Sequence, residues 1–325
     1  MSEAAAQQNI PVRILKHIWR EYSIVLVMII IFVVAGFMSD RFLTVQNMLI
    51  ILRQASFVGM IALGMTLVII TGGIDLSSGH VVAASGAVLI MLMIYTDIPA
   101  ILAILACFAV ATVIGFINGA FITRFRLPPF IVTLAIGIMV RSIALEVVGG
   151  RSISFRDPGG VLHTIGNGTI GFMPISLAIW IFSAIIIGCV LAYTKFGSYV
   201  YAVGGNETAA RYSGIATNKI KLITYAIIGF CAGVAALLDF SRMTAIAVPT
   251  AGDMYEFDAI TAAVVGGAAL SGGRGKIFNT FIGVIIIGSV NNLMIMLGLS
   301  PFLHGLLRGT IILVAVLLQR REKAA

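Results

Sequence analysis

Long apolar runs constrain this chain more than any other feature. Stretches such as 22–38, 98–123 and 175–194 approach or exceed the ~20 residues that a helix needs to cross a bilayer. In hydrocarbon every backbone N–H and C=O must be satisfied within the protein, so runs of this kind become helices. Composition agrees: 60% of the 325 residues are hydrophobic and 10% are charged, and mean hydropathy is +1.09. A soluble core of this size does not need so much apolar surface. The sequence specifies an all-α polytopic membrane protein.

Polar breaks divide it into about ten spans: 22–38, 44–71, 77–95, 98–123, 130–148, 175–194, 220–240, 258–270, 277–297 and 303–318. Residues 1–21 read as a cytoplasmic N-terminal tail, 22–319 as a single transmembrane domain with a polar loop at 195–219, and 320–325 as a cytoplasmic C-terminal tail. Segment 44–71 holds Arg53 and Gln54 and reads as one tilted helix or a broken one. The formal charge of +8 comes from 21 basic and 13 acidic residues. Under this topology fourteen of those 21 face the cytoplasm: Arg13, Lys16, Arg20, Arg124, Arg126, Lys195, Arg211, Lys219, Lys221, Arg274, Lys276, Arg320, Arg321 and Lys323. The bias follows the positive-inside rule. No basic stripe interleaves with aromatics, so nucleic acid is not an expected partner. The apolar run after Arg20 is long and lacks a small-x-small cleavage site, so it reads as an uncleaved first span. Cys107, Cys189 and Cys231 sit in apolar segments without metal spacing and read as free thiols.

The chain also repeats itself. Gly72-Gly73-Ile74-Asp75-Leu76-Ser77-Ser78-Gly79 and Gly266-Gly267-Ala268-Ala269-Leu270-Ser271-Gly272-Gly273 share the pattern GGxxLSxG. Later come Leu127-Pro128-Pro129-Phe130 and Leu299-Ser300-Pro301-Phe302, preceded by Asn118 and Asn291. Two patterns in one order predict two related halves, as in many transporters. Their spacing leaves inverted and parallel repeats both open.

Catalytic chemistry is missing. Lys276 follows Gly275, but Leu270 and Ile277 stand where a phosphate-binding loop needs Gly and Ser or Thr. His17, His80, His163 and His304 have no metal-ligand spacing. An enzyme, a metal site and a cofactor are not expected. The glycine pairs free backbone groups near the membrane, which is tolerated only inside protein or beside a wet cavity. Asp75, Ser77, Ser78 and Ser271, with Asn118 and Asn291, are the candidate translocation path. Close helix packing through glycine is the competing explanation. Gly115 with Gly119, and Gly229 with Gly233, read as packing pairs. Arg141, Glu146, Asp239 and Arg308 lie near span ends. Asp75 alone suits a proton-coupled carrier.

Within the loop, Gly204-Gly205-Asn206-Glu207-Thr208-Ala209-Ala210-Arg211-Tyr212-Ser213-Gly214 predicts a short capped helix. Asn206 is a good N-cap, Glu207 suits the first turn, and Gly214 can close the end with positive φ. A rigid cytoplasmic knob and a merely helical connection both fit these residues.

Three ordered stretches then resemble a known family: GMTLVIITGGIDLSSG from Gly64, YAVGGNETAARYSGI from Tyr201, and PTAGDMYEFDAITAAVVGGAALSGGRG from Pro249. They resemble the permease subunits of ribose-type bacterial ABC sugar importers over nearly the whole chain. The resemblance implies an inner-membrane permease, working as a homodimer in lipid with an ATP-binding cassette subunit and a periplasmic sugar-binding protein. It makes 22–319 a permease domain and 195–219 its coupling loop. It assigns Asn206, Glu207, Ala210, Arg211 and Gly214 to ATPase coupling, and turns 149–174 and 241–257 toward the binding protein. It implies import of a ribose-like pentose or related monosaccharide by ATP-driven alternating access. His80, directly after the first glycine motif, departs from the pattern. A stand-alone ion-coupled carrier and a non-transporting scaffold are the alternatives.

Overall fold

The computed structural model describes residues 10–154, 160–243 and 245–300, with 303, 305–306, 309–311 and 313. Residues 1–9, Arg308, most of the expected last span and the C-terminal tail lie outside the described residues.

Helix α1 (Ile10–Met38) is continuous, so the basic end of the N-terminal segment is helical and runs straight into the first span. Helix α2 (Val45–Ile70) is also unbroken; Thr44 caps it by accepting the Asn47 N–H at 3.4 Å. Then come α3 (Ser78–Tyr95), α4 (Ala100–Phe125) and α5 (Pro129–Val147). Pro129 sits in the first turn of α5, where its missing N–H costs no helical bond. The next loop carries β1 (Ile153–Ser154), α6 (Val161–Asn167), β2 (Thr169–Ile170) and β3 (Met173–Pro174) before α7 (Ile175–Tyr193). Two short helices follow, α8 (Lys195–Gly205) and α9 (Glu207–Tyr212), then α10 (Thr217–Phe240), β4 (Ala245–Ile246), α11 (Tyr255–Val265) and α12 (Ile277–Met296). β1 pairs antiparallel with β4, tying the loop after α5 to the loop after α10.

Among the described residues seven helices are long and apolar enough to cross a membrane: α2, α3, α4, α5, α7, α10 and α12, with Ile24–Met38 as a shorter apolar helix. The expected span 258–270 takes a different form. α11 has 11 residues, about 16 Å at 1.5 Å per residue, roughly half of a ~30 Å hydrocarbon core. Gly266 and Gly267 stop it.

The helices sort into a centre and a periphery. In α2 and α10 61% and 67% of the membrane window is buried, against 22% in α5 and α7, which present apolar surface outward. α4 packs on α10 through small residues: a Cβ on Gly115 would stand 2.9 Å from the Gly229 Cα, and one on Gly233 2.9 Å from the Ala111 Cβ. This is the backbone approach expected of the glycine pairs. α2 and α11 run side by side in one direction. Phe57 stacks on Tyr255 at the start of α11, and Ile70 bonds Gly273 beyond its end.

Candidate functional site

Both glycine motifs close a helix in the same way. After α2, Gly72 N–H donates to the Ile69 carbonyl and Gly73 N–H to Val68, each at 2.9 Å. After α11, Gly267 N–H donates to Val264 and Ala268 N–H to Ala263, again at 2.9 Å. This closure needs positive φ at one position, and Gly72 and Gly267 supply it at 80° and 85°. The letter match had put Gly72 opposite Gly266; the structure puts it opposite Gly267. Backbone conformation, not residue identity, sets the equivalence.

The two closures are joined, and the loop at 195–219 is seated on the joint. Gly273 N–H donates to the Ile70 carbonyl at 2.8 Å. Gly204, near the end of α8, lies against the same carbonyl: a Cβ there would collide with it and stand 2.6 Å from the Gly273 nitrogen. Tyr201 Oη donates to the Gly275 carbonyl at 2.7 Å. Three stretches far apart in sequence thus meet within a few ångströms.

From that joint the chain enters the capped helix. Asn206 Oδ1 accepts the Ala209 N–H at 2.9 Å. Gly214, at φ 83°, ends α9 while its N–H reaches Arg211 and the Ile215 N–H reaches Ala210, both at 3.0 Å. Ala210 is buried, and Tyr212 is 89% exposed. Glu207 pairs with Arg211 at 3.1 Å and with Lys221 of α10 at 2.5 Å. Burial alone would raise the Glu207 carboxyl; the bond to Lys221 and the charges of Lys221 and Arg211 outweigh it and hold the carboxyl below its usual range.

The first break holds a buried polar chain. Asp75 Oδ1 accepts both the Ser77 N–H and the Ser77 hydroxyl at 2.6 Å. Asn118 of α4 donates to Ser77 Oγ at 2.7 Å. The Leu76 N–H is taken by Thr133 of α5 at 3.0 Å, and Tyr225 of α10 donates to the Ile74 carbonyl at 3.3 Å. Asp75, Ser77, Ser78 and Asn118 are all buried. Ser78 Oγ and Asn118 Oδ1 have no hydrogen-bond partner among the described residues. A carboxyl at a bilayer centre costs ~2.5–3.5 kcal/mol on insertion scales. Asp75 makes no ion pair among the described residues; the two donors of Ser77 offset part of the cost of its burial.

The other candidates lie elsewhere. Ser271 is exposed on the turn between the second closure and α12, beside the joint at Ile70. Asn291 is half-buried on α12 and borders a different cavity. His80 is half-buried against Gly137 of α5. Sequence reasoning missed Thr133 and Tyr225, which complete the break from neighbouring helices, and the role of Arg141. The Arg141 guanidinium donates to the carbonyls of Pro249 and, at 3.3 Å, Ala251, and pairs with Asp253 at 2.9 Å. It clamps the loop ahead of α11, where Gly252 packs directly on Gly79. The PTAGD letters marked that loop, but nothing local named its partner.

Comparison with known proteins decides the family. Residues 47–316 match the family described as branched-chain amino acid transport system / permease component. The chain belongs to this permease family. The permease is 40% identical over 295 residues to the ribose import permease protein of Bacillus subtilis, covering 91% of each chain. It is 39% identical to the ribose import permease protein of Haemophilus influenzae, over 89% of this chain and 90% of that one. It is 33% identical to the D-allose transport system permease protein of Escherichia coli, over 93% and 92%. No solved structure matches it. With its apolar helices, the permease is a multi-pass protein of the bacterial inner membrane.

Proposed function

We propose that this permease is the transmembrane subunit of a binding-protein-dependent ABC importer, moving a ribose-like monosaccharide across the inner membrane. ATP hydrolysis belongs to a separate subunit, and a periplasmic sugar-binding protein delivers the sugar. Two copies of the permease, embedded in lipid, form the pathway. Residues 22–319 make up the permease domain, between tails at 1–21 and 320–325, and 195–219 is its coupling loop.

One observation carries the mechanism: Gly204 is wedged on the Ile70 carbonyl that Gly273 also bonds. A push on α9 from the cytoplasm has a short, stiff route to both helix closures. Asn206, Glu207, Arg211 and Gly214 build the surface that takes the push, and the buried Ala210 seats it on the rest of the domain. Asp75, Ser77, Ser78 and Asn118 stand where the first closure gives way to α3, so a moving joint would change what that polar chain faces. Ser271 belongs with the joint more than with the path. The ribose and D-allose permeases to which this chain is 33–40% identical support a monosaccharide as cargo. A stand-alone carrier fits less well, since the relatives are import permeases at 33–40% identity and Asp75 Oδ1 is already taken by two bonds from Ser77.

The test is reconstitution in proteoliposomes. The permease with its ATP-binding subunit and sugar-loaded binding protein should import the sugar only when ATP is supplied. Uptake by the permease alone, driven by a proton or sodium gradient, would support the carrier instead.

A further inference from the structure

A second polar cluster lies away from the helix closures, between α2, α11 and α12, toward the loop that follows α10. A cavity of about 230 Å³ opens there, bordered by Gln54, Phe57, Arg242, Tyr255, Asp258 and Asn291. Part of its wall is fixed. Tyr255 Oη donates to Asp239 Oδ2 at 3.0 Å, which holds the ring. Phe57 stacks on that ring with centroids 5.9 Å apart, and the Arg242 guanidinium lies 5.5 Å over Phe57. Other polar groups keep free hydrogen-bonding capacity. The side-chain amides of Gln54 and Asn291 and the guanidinium of Arg242 make no hydrogen bond or ion pair among the described residues. Asn292 shows the contrast: it exchanges two hydrogen bonds with Asn47, both at 3.0 Å. Of two adjacent asparagines, the helix core consumes one and the cavity is offered the other.

We infer that this cavity is an outward-side binding site for a neutral monosaccharide on its way to the helix closures. Primary amides present a donor and an acceptor side by side, and a hydroxyl both donates and accepts, so Gln54 and Asn291 match neighbouring sugar hydroxyls. Arg242 adds further donors, and the charge of Arg242 is offset by Asp239 behind Tyr255, which favours a neutral ligand over an anion. An apolar amino-acid side chain would leave the amides and the guanidinium dehydrated and unpaired, a strong penalty against such a ligand. The volume lies below the ~300–1,000 Å³ of clefts that take drug-sized ligands, which suits one sugar ring.

The inference rests on the proposed sugar import, and the experiment separates the two. Cys107 and Cys231 are buried and Cys189 is exposed, so Asn291→Cys is placed in a Cys189→Ser background, with Gln54→Cys as a second position. Each is assembled with the ATP-binding subunit and binding protein in proteoliposomes. A small charged methanethiosulfonate reagent is applied from the outer side, with D-ribose, D-allose or L-leucine as the protecting probe. The imported sugar should slow modification several-fold at both positions, and leucine should not. If a sugar is imported yet protects neither cysteine at saturating concentration, the cavity assignment falls and sugar import stands. If leucine is imported and neither sugar is, both readings fall.

Discussion

Gly273 donates its backbone N–H to the carbonyl oxygen of Ile70 at 2.8 Å. The bond joins the ends of α2 and α11, two helices that run in parallel and stop on equivalent turns. Because α8 delivers Gly204 onto the same oxygen, the joint has three members, and the third comes from the loop at 195–219. Its geometry leaves no room for a side chain at the point of contact.

Gly204→Ala is therefore expected to damage the joint, and Gly205→Ala to leave it intact. Alanine favours a helix over glycine by ~0.8–1 kcal/mol, but at 204 its Cβ meets backbone atoms of Ile70 and Gly273 that cannot swing aside. Overpacking of this kind costs ~1–3 kcal/mol and wins. At 205 nothing lies within 4 Å of the added carbon, so the propensity gain stands. Thermal unfolding in detergent and uptake in proteoliposomes check the pair. Equal melting temperatures and equal uptake in the two variants would show that the contact transmits nothing.

Asp75→Asn should retain most folding and transport, whereas Asp75→Leu should lose both. Asparagine keeps an acceptor for the Ser77 N–H and hydroxyl. Leucine leaves the buried N–H unpaired at ~1–3 kcal/mol and also releases the hydroxyl that Asn118 bonds. Uphill uptake is the readout. Abolished uptake in Asp75→Asn, with binding-protein docking and ATP turnover intact, would point to a proton-carrying role.

The letters revealed the spans because a bilayer demands long apolar runs, and revealed α9 because its caps are local: Asn206 bonds three residues ahead and Gly214 carries its own positive φ. They also marked the Gly115 and Gly229 packing pairs. What they hid is what distant segments do to each other. Nothing near Gly204 names Ile70, and nothing near Asp75 names Tyr225 or Thr133. The half-span at α11 was hidden for a related reason: residues 258–270 are apolar enough to cross, but a buried location beside α2 and α12 also selects apolar residues. Asn291 and Asn292 read alike in sequence, and only the position of Asn47 separates them.

The tether between α9 and α10 should be indifferent to pH across the physiological range. The Glu207 carboxyl is held below its usual 4.5. A depressed folded-state value contributes stability that is fully present above the unfolded value and is lost as pH falls through the folded one. The loss therefore lies below 4.5, and the partly exposed pairs are worth only ~0.2–1 kcal/mol. Co-purification of the ATP-binding subunit should be equal at pH ~6 and ~8 for the unaltered permease. A sharp change between those values that disappears in Glu207→Gln would contradict the assignment.

Glu207→Lys and Gly214→Val should uncouple transport without unfolding the membrane domain, for two separate reasons. Lysine at 207 places a cation at the positive end of α9, an unfavourable term of ~0.3–1 kcal/mol, and sets it against Arg211 and Lys221, which now lose their carboxylate. The helix would swing off α10. At 214 space is open, with nothing within 4 Å of an added Cβ, so the whole penalty is the φ of 83°. A non-glycine residue in that region costs ~1–3 kcal/mol, and a β-branched one resists it most. Gly214→Asn, which tolerates positive φ, should then transport better than Gly214→Val. Both costs, of ~1–3 kcal/mol or less, are small beside the packing of α4 on α10 and of α2 in the core, so membrane abundance should match the parent. The expected phenotype is weakened association with the ATP-binding subunit and little sugar uptake. Normal co-purification and parental uptake in both variants would mean that α9 is only a connection, and that the joint at Ile70 is driven from another surface.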